Sequence, residues 1–196
     1  MSQFGKTDVE ILSKEHVGGR FLRVSALGLR HRLYRGGWSE PMRREILERG
    51  HAVGVLLHDP AQDTIVFVEQ FRVGALVAGR DPWLLELPAG VIEAGEEPED
   101  VAIREVREET GGSVSELEKI CTCILSPGGC SEEIHLYYAQ IDSSEIGGVH
   151  GLDTEHEDII VVKKSTADAF KILEQPYGGN ATVILALQWL KLKFNA

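Results

Sequence analysis

Residues 90–112 read GVIEAGEEPEDVAIREVREETGG, and this stretch decides the fold. An apolar run with the composition of a strand, WLLEL, comes just before it at residues 83–87. Pro98 suits the first turn of a helix, and Gly111 suits its end. We therefore predict a helix over about residues 98–110, with an apolar face that packs on a sheet. That face carries Ala102, Ile103, Val106 and Thr110.

The opposite face of this predicted helix is acidic. Glu105, Glu108 and Glu109 stand at i, i+3 and i+4, so a helix places them side by side. Neighbouring like charges repel and destabilise a helix that carries them alone. A divalent cation reverses that effect, because hard cations such as Mg²⁺ bind carboxylate oxygens. A solvated acidic face is the alternative for any run of charge.

The spacing of the stretch is more specific than its charge. Gly90, then Glu96, then REVREETG at residues 104–111 form a fixed pattern over about two dozen residues. This pattern resembles the signature of the Nudix hydrolases, and it favours the metal site over the solvated face. One position departs from it, because the family usually has an aliphatic residue where this chain has Gly112. We expect this departure to weaken packing at the helix exit and to leave the carboxylates untouched.

Composition limits the classes of partner. The chain has 196 residues, is 43% hydrophobic and carries a net charge of −11. That charge argues against binding to nucleic acid or to anionic membranes. A phosphate substrate is still allowed, since local arginines and metal ions outweigh the global field. The chain shows neither an apolar run of about 20 residues nor a signal peptide at its start, so we predict a cytoplasmic protein. The three cysteines match no zinc spacing and are predicted to be reduced thiols.

Two sections follow from the pattern along the chain. Residues 1–50 form an N-terminal β section that is too small to bury a core, so it must pack on something, for which another copy of the chain is a candidate. Residues 51–196 form the main domain, which begins with a hairpin of apolar strands. Arg72 follows the second of these strands and is a candidate phosphate contact. Residues 142–157 form a long acidic loop of the kind that often acts as a lid.

The wider resemblance is to the bacterial ADP-ribose diphosphatases of the Nudix superfamily, and it covers nearly the whole chain. It is carried by FGKTDVEIL, RREILERGHAV, EQFRVGA, WLLELPAG, SPGG with SE after it, and HGLDTEHEDI. It implies an α+β fold, an α/β/α sandwich around a mixed sheet, with the N-terminal section shared across a homodimer. It also implies hydrolysis of ADP-ribose to AMP and ribose 5-phosphate with two or more Mg²⁺ ions, or Mn²⁺ in their place.

The resemblance also implies roles for individual residues. The Ala89 carbonyl, Glu105 and Glu109 would bind metal, with Glu108 joining them when substrate is bound. Gly90, Glu96 and Arg104 would be structural members of the motif. Arg72, and Arg44 from the partner subunit, would bind the diphosphate, and Glu132 is a weaker candidate for the substrate site. Glu155 and Glu157 match an acidic pair of which one is the catalytic base, and Glu155 is the first choice.

Two other functions stay open at this point. The first is hydrolysis of another nucleoside diphosphate sugar, such as GDP-mannose, because the sequence does not display the contacts that set specificity. The second is a non-catalytic module that binds ADP-ribose. Such a module should have lost one of the acidic residues, whereas all five are present here: Glu105, Glu108, Glu109, Glu155 and Glu157. A plain acidic scaffold would not explain why motif, arginines and acidic loop occur together.

Overall fold

The computed structural model describes residues 3–19, 22–152, 154 and 156–194. Its strands are β1 (Val9–Gly18), β2 (Arg23–His31), β3 (Met42–Glu48), β4 (His51–Asp59), β5 (Thr64–Phe71), β6 (Trp83–Glu86), β7 (Ala89–Ile92), β8 (Glu118–Ile124), β9 (Glu133–Gln140), β10 (Val149–His150) and β11 (Ile159–Ser165). Its helices are α1 (Val73–Val77), α2 (Pro98–Thr110), α3 (Thr166–Phe170) and α4 (Ala181–Phe194). Contacts divide the chain into a first unit, Met1–Gly50 with Ile124–Glu132, and a second unit, His51–Cys123 with Glu133–Ala196.

The first unit is an antiparallel sheet with β2 between β1 and β3. The segment Ile124–Glu132 joins this sheet at Leu47, whose N–H donates to the carbonyl of Gly129 at 2.8 Å. Among the described residues of this unit, Ala26 is the only buried apolar one, while Ile11 on β1 is 65% exposed. The first unit therefore has almost no core of its own.

The second unit is built on one mixed sheet in the order β10-β11-β5-β4-β9-β8. Strands β4 and β9 are parallel, whereas β4 with β5 and β5 with β11 are antiparallel. The two short strands before α2 add to the same sheet, since β6 pairs with β5 and β7 pairs with β4. The hairpin predicted from the apolar runs is present, with Leu57 opposite Val66.

Alternating side chains of β4 bury both faces of this sheet. Val53, Val55 and Leu57 face a core cluster that includes Val101, Ala102 and Val106 of α2. Ala52 and Leu56 face a second cluster that includes Val183, Leu187 and Leu190 of α4. Because successive residues of a strand point to opposite faces, one apolar strand can support a helix layer on each side. The predicted α/β/α sandwich is confirmed.

Three short elements are absent from the sequence prediction. Between β5 and β6 the chain forms α1, one turn of helix. The residues that follow the WLLEL run form strand β7, because β4 supplies partners such as Val53 opposite Gly90. The acidic loop contains β10, which pairs with β11. Elements this short depend on hydrogen bonds from neighbours, which local composition does not reveal. The cysteines are free thiols, and no helix of the described residues is long and apolar enough to cross a membrane.

Candidate active site

Helix α2 and strand β7 form the centre of the candidate site. The helix has Pro98 in its first turn and ends at Gly111, whose φ of 71° is in the left-handed region that favours glycine. Its acidic face is turned partly inward, so that the residues Glu105 and Glu109 are only 9% and 2% exposed. Burying carboxylates costs free energy unless positive charge or hydrogen bonds compensate.

Glu109 receives too little compensation in the folded chain. One carboxylate oxygen accepts the N–H of Ala89 at 2.9 Å. Burial raises the pKa of Glu109 to about 8, and the negative charges of Glu105 and Glu157 add to this rise, while the N–H of Ala89 and the charge of Arg72 oppose it. A buried carboxylate whose negative neighbours raise its pKa is a donor suited to a hard divalent cation.

Gly90 brings Glu105 against the backbone of β7. A Cβ atom at Gly90 would lie 2.0 Å from Oε1 of Glu105, which is far inside van der Waals contact. The φ of Gly90 is not in the left-handed region, so the requirement for glycine is steric. The missing side chain leaves room for the Glu105 carboxylate beside the Ala89–Gly90 backbone, and a cation there could take oxygens from both.

Arg104 ties the acidic face to the turn that precedes α2. Its guanidinium contacts Glu105 at 2.9 Å, Glu108 at 3.2 Å and Glu96 at 3.6 Å. Glu96 in turn accepts the N–H of Glu93 at 2.8 Å and so closes the turn. In the part of the chain that the structure describes, no group of three or more Asp, Glu, His or Cys side chains is arranged to hold a metal. Arg104 pairs with Glu105 as well as with Glu108, whose side chains are 12% and 32% exposed.

A second network holds Arg72, which precedes α1. Its Nε and Nη2 lie 2.9 and 2.8 Å from one carboxylate oxygen of the buried Glu86. The other oxygen of Glu86 accepts the amide of Asn180 at 2.6 Å. Asn180 also accepts the N–H of Thr182 and so caps α4. The Arg72 side chain remains 44% exposed, so its guanidinium can reach an anion while Glu86 fixes its orientation. Sequence analysis missed Glu86 and Asn180, although an acidic residue inside the apolar run LLEL was a signal.

The acidic loop contributes Glu157. Its N–H donates to the carbonyl of Leu152 at 3.3 Å, and its carboxylate accepts the N–H of Leu152 at 3.2 Å. The negative charge of Glu157 contributes to the raised pKa of Glu109. Glu155, the first choice for the base, lies outside the described residues.

The predicted site residues divide between the two units. Arg44 and Glu132 belong to the first unit. There Arg44 donates to the carbonyl of Arg43 at 3.1 Å, and Glu132 is paired with Arg49 at 3.2 Å. The other predicted residues that the structure describes belong to the second unit. There Ala89 and Gly90 contact Glu109 and Glu105, and Arg104 contacts Glu96, Glu105 and Glu108. Glu157 and Arg72 act on Glu109 through their charges.

The chain belongs to the NUDIX domain family, whose model matches residues 48–175. The match includes α2, β7 and the Arg72 network up to residue 175, so the geometry described above lies almost wholly inside it.

Several individual proteins are similar to this chain over most of its length. The chain is 42% identical over 193 residues to an ADP-ribose pyrophosphatase from Escherichia coli (strain K12), covering 98% of this chain and 92% of the relative. It is 39% identical to one from Haemophilus influenzae, covering 99% and 91%. A GDP-mannose pyrophosphatase from Cronobacter sakazakii is 36% identical over 77% of this chain and 78% of its own. A crystal structure of an ADP compounds hydrolase shares the fold, with a TM-score of 0.71 at 22% identity over 96% of this chain and 97% of the other.

Proposed function

We propose that this protein hydrolyses the diphosphate bond of ADP-ribose to AMP and ribose 5-phosphate, with Mg²⁺ as cofactor. The observation that carries the proposal is the buried carboxylate of Glu109, which accepts the N–H of Ala89 on β7 next to the Gly90 backbone against which Glu105 lies. Relatives that match nearly the whole chain at 39–42% identity and are ADP-ribose pyrophosphatases support this choice of substrate.

The metal would be held by Glu105, Glu109 and the Ala89 carbonyl, with two or more Mg²⁺ or Mn²⁺ ions in all. Glu108 would leave Arg104 and join them when substrate binds. Such ions neutralise charge on the diphosphate and lower the pKa of a bound water. Glu96 and Arg104 would hold the turn against the helix through their ion pair. The absence of a side chain at Gly90 leaves room for the Glu105 carboxylate beside β7.

Arg72 would bind phosphate oxygens with the part of its guanidinium that Glu86 leaves exposed. Arg44 of the partner subunit would contact the same diphosphate, and Glu132 is a further substrate contact. The base that accepts a proton from the attacking water would be a loop carboxylate, with Glu155 preferred and Glu157 as the alternative.

The choice of base has a direct test. Glu155→Gln should lower kcat by ~10²–10⁴-fold with little change in KM, because a general base acts on the chemical step. The Glu157→Gln variant is the matched comparison on the same loop. If Glu155→Gln keeps a normal kcat while Glu157→Gln loses activity, the role belongs to Glu157.

A homodimer is the assembly that the first unit supports best. Strand β1 exposes large apolar side chains, namely Val9, Ile11, Leu12 and Val17, and the unit buries almost no apolar residues itself. Apolar residues in that number are typical of surfaces that a partner covers. Light scattering on a gel-filtration column should give twice the mass of one chain, and a monomer across the micromolar range would refute the dimer. The cytoplasmic location stays a prediction from sequence.

A second substrate is favoured by one specific observation, the 36% identity to a GDP-mannose pyrophosphatase. A panel of ADP-ribose, ADP-glucose, GDP-mannose, NADH and diadenosine substrates with Mg²⁺ separates the candidates. We expect ADP-ribose to have the highest kcat/KM. If GDP-mannose is better, the substrate assignment fails and the diphosphate chemistry stands. Binding of ADP-ribose without turnover of any substrate would instead indicate the non-catalytic module.

A further inference from the structure

Gly112 follows the end of α2 and is buried. A Cβ atom there would lie 2.7 Å from Cδ1 of Ile141 and 2.8 Å from Cδ1 of Ile146. The φ of Gly112 is not in the left-handed region, so the backbone itself accepts other residues. The space that a side chain would need is therefore taken by two isoleucines, which are themselves 7% and 8% exposed.

The preceding residue, Gly111, contacts a third side chain, that of His150 in the acidic loop. A Cβ at Gly111 would lie 3.0 Å from Cε1 of His150, and Nε2 of His150 is 2.9 Å from the carbonyl oxygen of Gly147. His150 belongs to β10, where it lies opposite Ile159 of β11. The end of α2 thus contacts the chain at residues 141, 146 and 150.

This contact leads directly to the loop acids. Gly151 follows His150, and a Cβ there would lie 2.7 Å from Cβ of Glu157. Leu152 exchanges two hydrogen bonds with Glu157. The segment that packs on Gly111 and Gly112 therefore continues to Leu152, which is hydrogen-bonded to Glu157.

We propose that Ile146 and Ile141 replace the aliphatic side chain that the Nudix signature usually places at position 112. In this protein Gly111 and Gly112, at the end of α2, form the surface on which the acidic loop packs through Ile146, Ile141 and His150. We call this contact surface the seat. Ile146 is a positioning residue that fixes where Glu157 lies relative to Glu105 and Glu109. The catalytic part of this inference rests on the proposed function, whereas the packing part does not.

The test exchanges side-chain volume across the contact. Gly112→Leu introduces the family's type of residue and should displace the loop, since crowding a packed site is destabilising. Ile146→Ala removes about the volume that Leu adds. The double variant Gly112→Leu/Ile146→Ala should fit again, because volume-conserving exchanges are tolerated best. Gly112→Ala is a graded control, since its Cβ would meet the Cδ1 ends of two flexible side chains and, at 3.1 Å, Oγ1 of Thr110.

Three measurements follow each variant: the thermal unfolding midpoint, amide hydrogen exchange of residues 143–152, and kcat and KM with ADP-ribose. Gly112→Leu should lower the midpoint, speed exchange in that segment about tenfold or more, and lower kcat about tenfold with a smaller change in KM. The double variant should recover kcat and exchange rates to within about threefold of wild type. Ile103→Ala controls for loss of an isoleucine alone. Ile103 was predicted to face the sheet, but it is 38% exposed and lies outside both core clusters.

Additive losses in the double variant would overturn the inference, and so would unchanged exchange of residues 143–152 in Gly112→Leu. If kcat falls and recovers together with exchange, the seat positions the loop for catalysis. If hydrogen exchange and the unfolding midpoint change in Gly112→Leu and recover in the double variant while kcat does not, the positioning role is refuted. Should wild-type protein fail to hydrolyse ADP-ribose, the proposed function fails, and the midpoint and exchange measurements still decide the packing.

Discussion

Glu86 and Glu109 are two buried glutamates of the same domain with opposite surroundings. Glu86 is 5% exposed and accepts hydrogen bonds from Arg72 and Asn180. Glu109 is 2% exposed, accepts one backbone N–H, and has the carboxylates of Glu105 and Glu157 as neighbours. Glu86 is thus ion-paired with Arg72, whereas Glu109 forms no ion pair with the residues that the structure describes.

The contrast distinguishes a structural acid from an acid held for a ligand. A buried charge that is paired and hydrogen-bonded keeps its neighbours in place, whereas a buried charge without a partner destabilises the fold that contains it. Buried acids with strongly shifted pKa values are concentrated at functional sites, and carboxylate oxygens are ligands for hard divalent cations. The following variants test whether Glu109 is of the second kind and Glu86 of the first.

Glu109→Gln should have the largest effect on activity and the least on folding. Removing a metal-ligating oxygen should lower kcat/KM well beyond the ~10–100-fold that loss of a residue outside the ligand set costs. The same change removes a repelled buried charge, so metal-free protein at pH 8 should be as stable as wild type or more stable. Steady-state rates and urea unfolding check the two effects. Near-normal turnover at saturating Mg²⁺ would contradict the assignment.

This part of the site could be predicted from sequence, because the determinants are local. Glu105, Glu108 and Glu109 share a helix face through their spacing alone, and a helix between Pro98 and Gly111 needs no distant contact to be recognised. The steric role of Gly90 could not be derived in the same way, since it depends on how close β7 and α2 approach.

Gly90→Ala should be the next largest effect. The added Cβ would lie 2.0 Å from Oε1 of Glu105, so the carboxylate has to leave its place against the strand. We expect kcat/KM to fall by ~10–100-fold, as for other changes that displace a metal ligand without removing it. Gly18→Ala is the matched control, because a Cβ there meets no atom within 4 Å. Equal activities of the two variants at saturating Mg²⁺ would show that Glu105 does not need this position.

The pKa of Glu109 predicts how stability depends on pH in the absence of metal. Its folded value of about 8 lies above the ordinary value of 4.5, so the folded state binds the proton more tightly than the unfolded state. The stabilisation is complete below the ordinary value and is lost as pH rises through about 8. Wild-type protein in EDTA should therefore lose on the order of 3 kcal/mol of unfolding free energy between pH 5 and pH 8.

Mg²⁺ should restore much of this loss at pH 8, since a ligand at about 100 times its Kd stabilises by ~2.7 kcal/mol. Other groups also titrate in this range, and Glu109→Gln reports their share. If the variant and wild type show the same slope with pH, Glu109 is not the group responsible.

Only part of the Arg72 network could be predicted from sequence. The sequence pattern predicts that Arg72 lies at a strand end. Asn180, however, lies 94 residues from Glu86, and no local sequence pattern connects the two. Likewise Gly112 was interpreted as weakened packing, whereas Ile141 and Ile146 fill the space. Both features are contacts between distant segments, and a single sequence carries no record of which segments meet.

Glu86→Gln should have the smallest effect of the set, and a different kind. The amide keeps the size of the carboxylate and can still accept from Arg72, but the ion pair is lost and the guanidinium is less firmly oriented. We expect KM for ADP-ribose to rise about tenfold with kcat changed less, because Arg72 acts in binding the diphosphate. Stability should fall by ~1–2 kcal/mol, a value reduced from that of a fully buried pair because the Arg72 side chain is 44% exposed. Glu116→Gln, at an exposed position, controls for loss of one negative charge. A stabilised Glu86→Gln protein would remove the contrast, since Glu86 would then behave as we expect of Glu109.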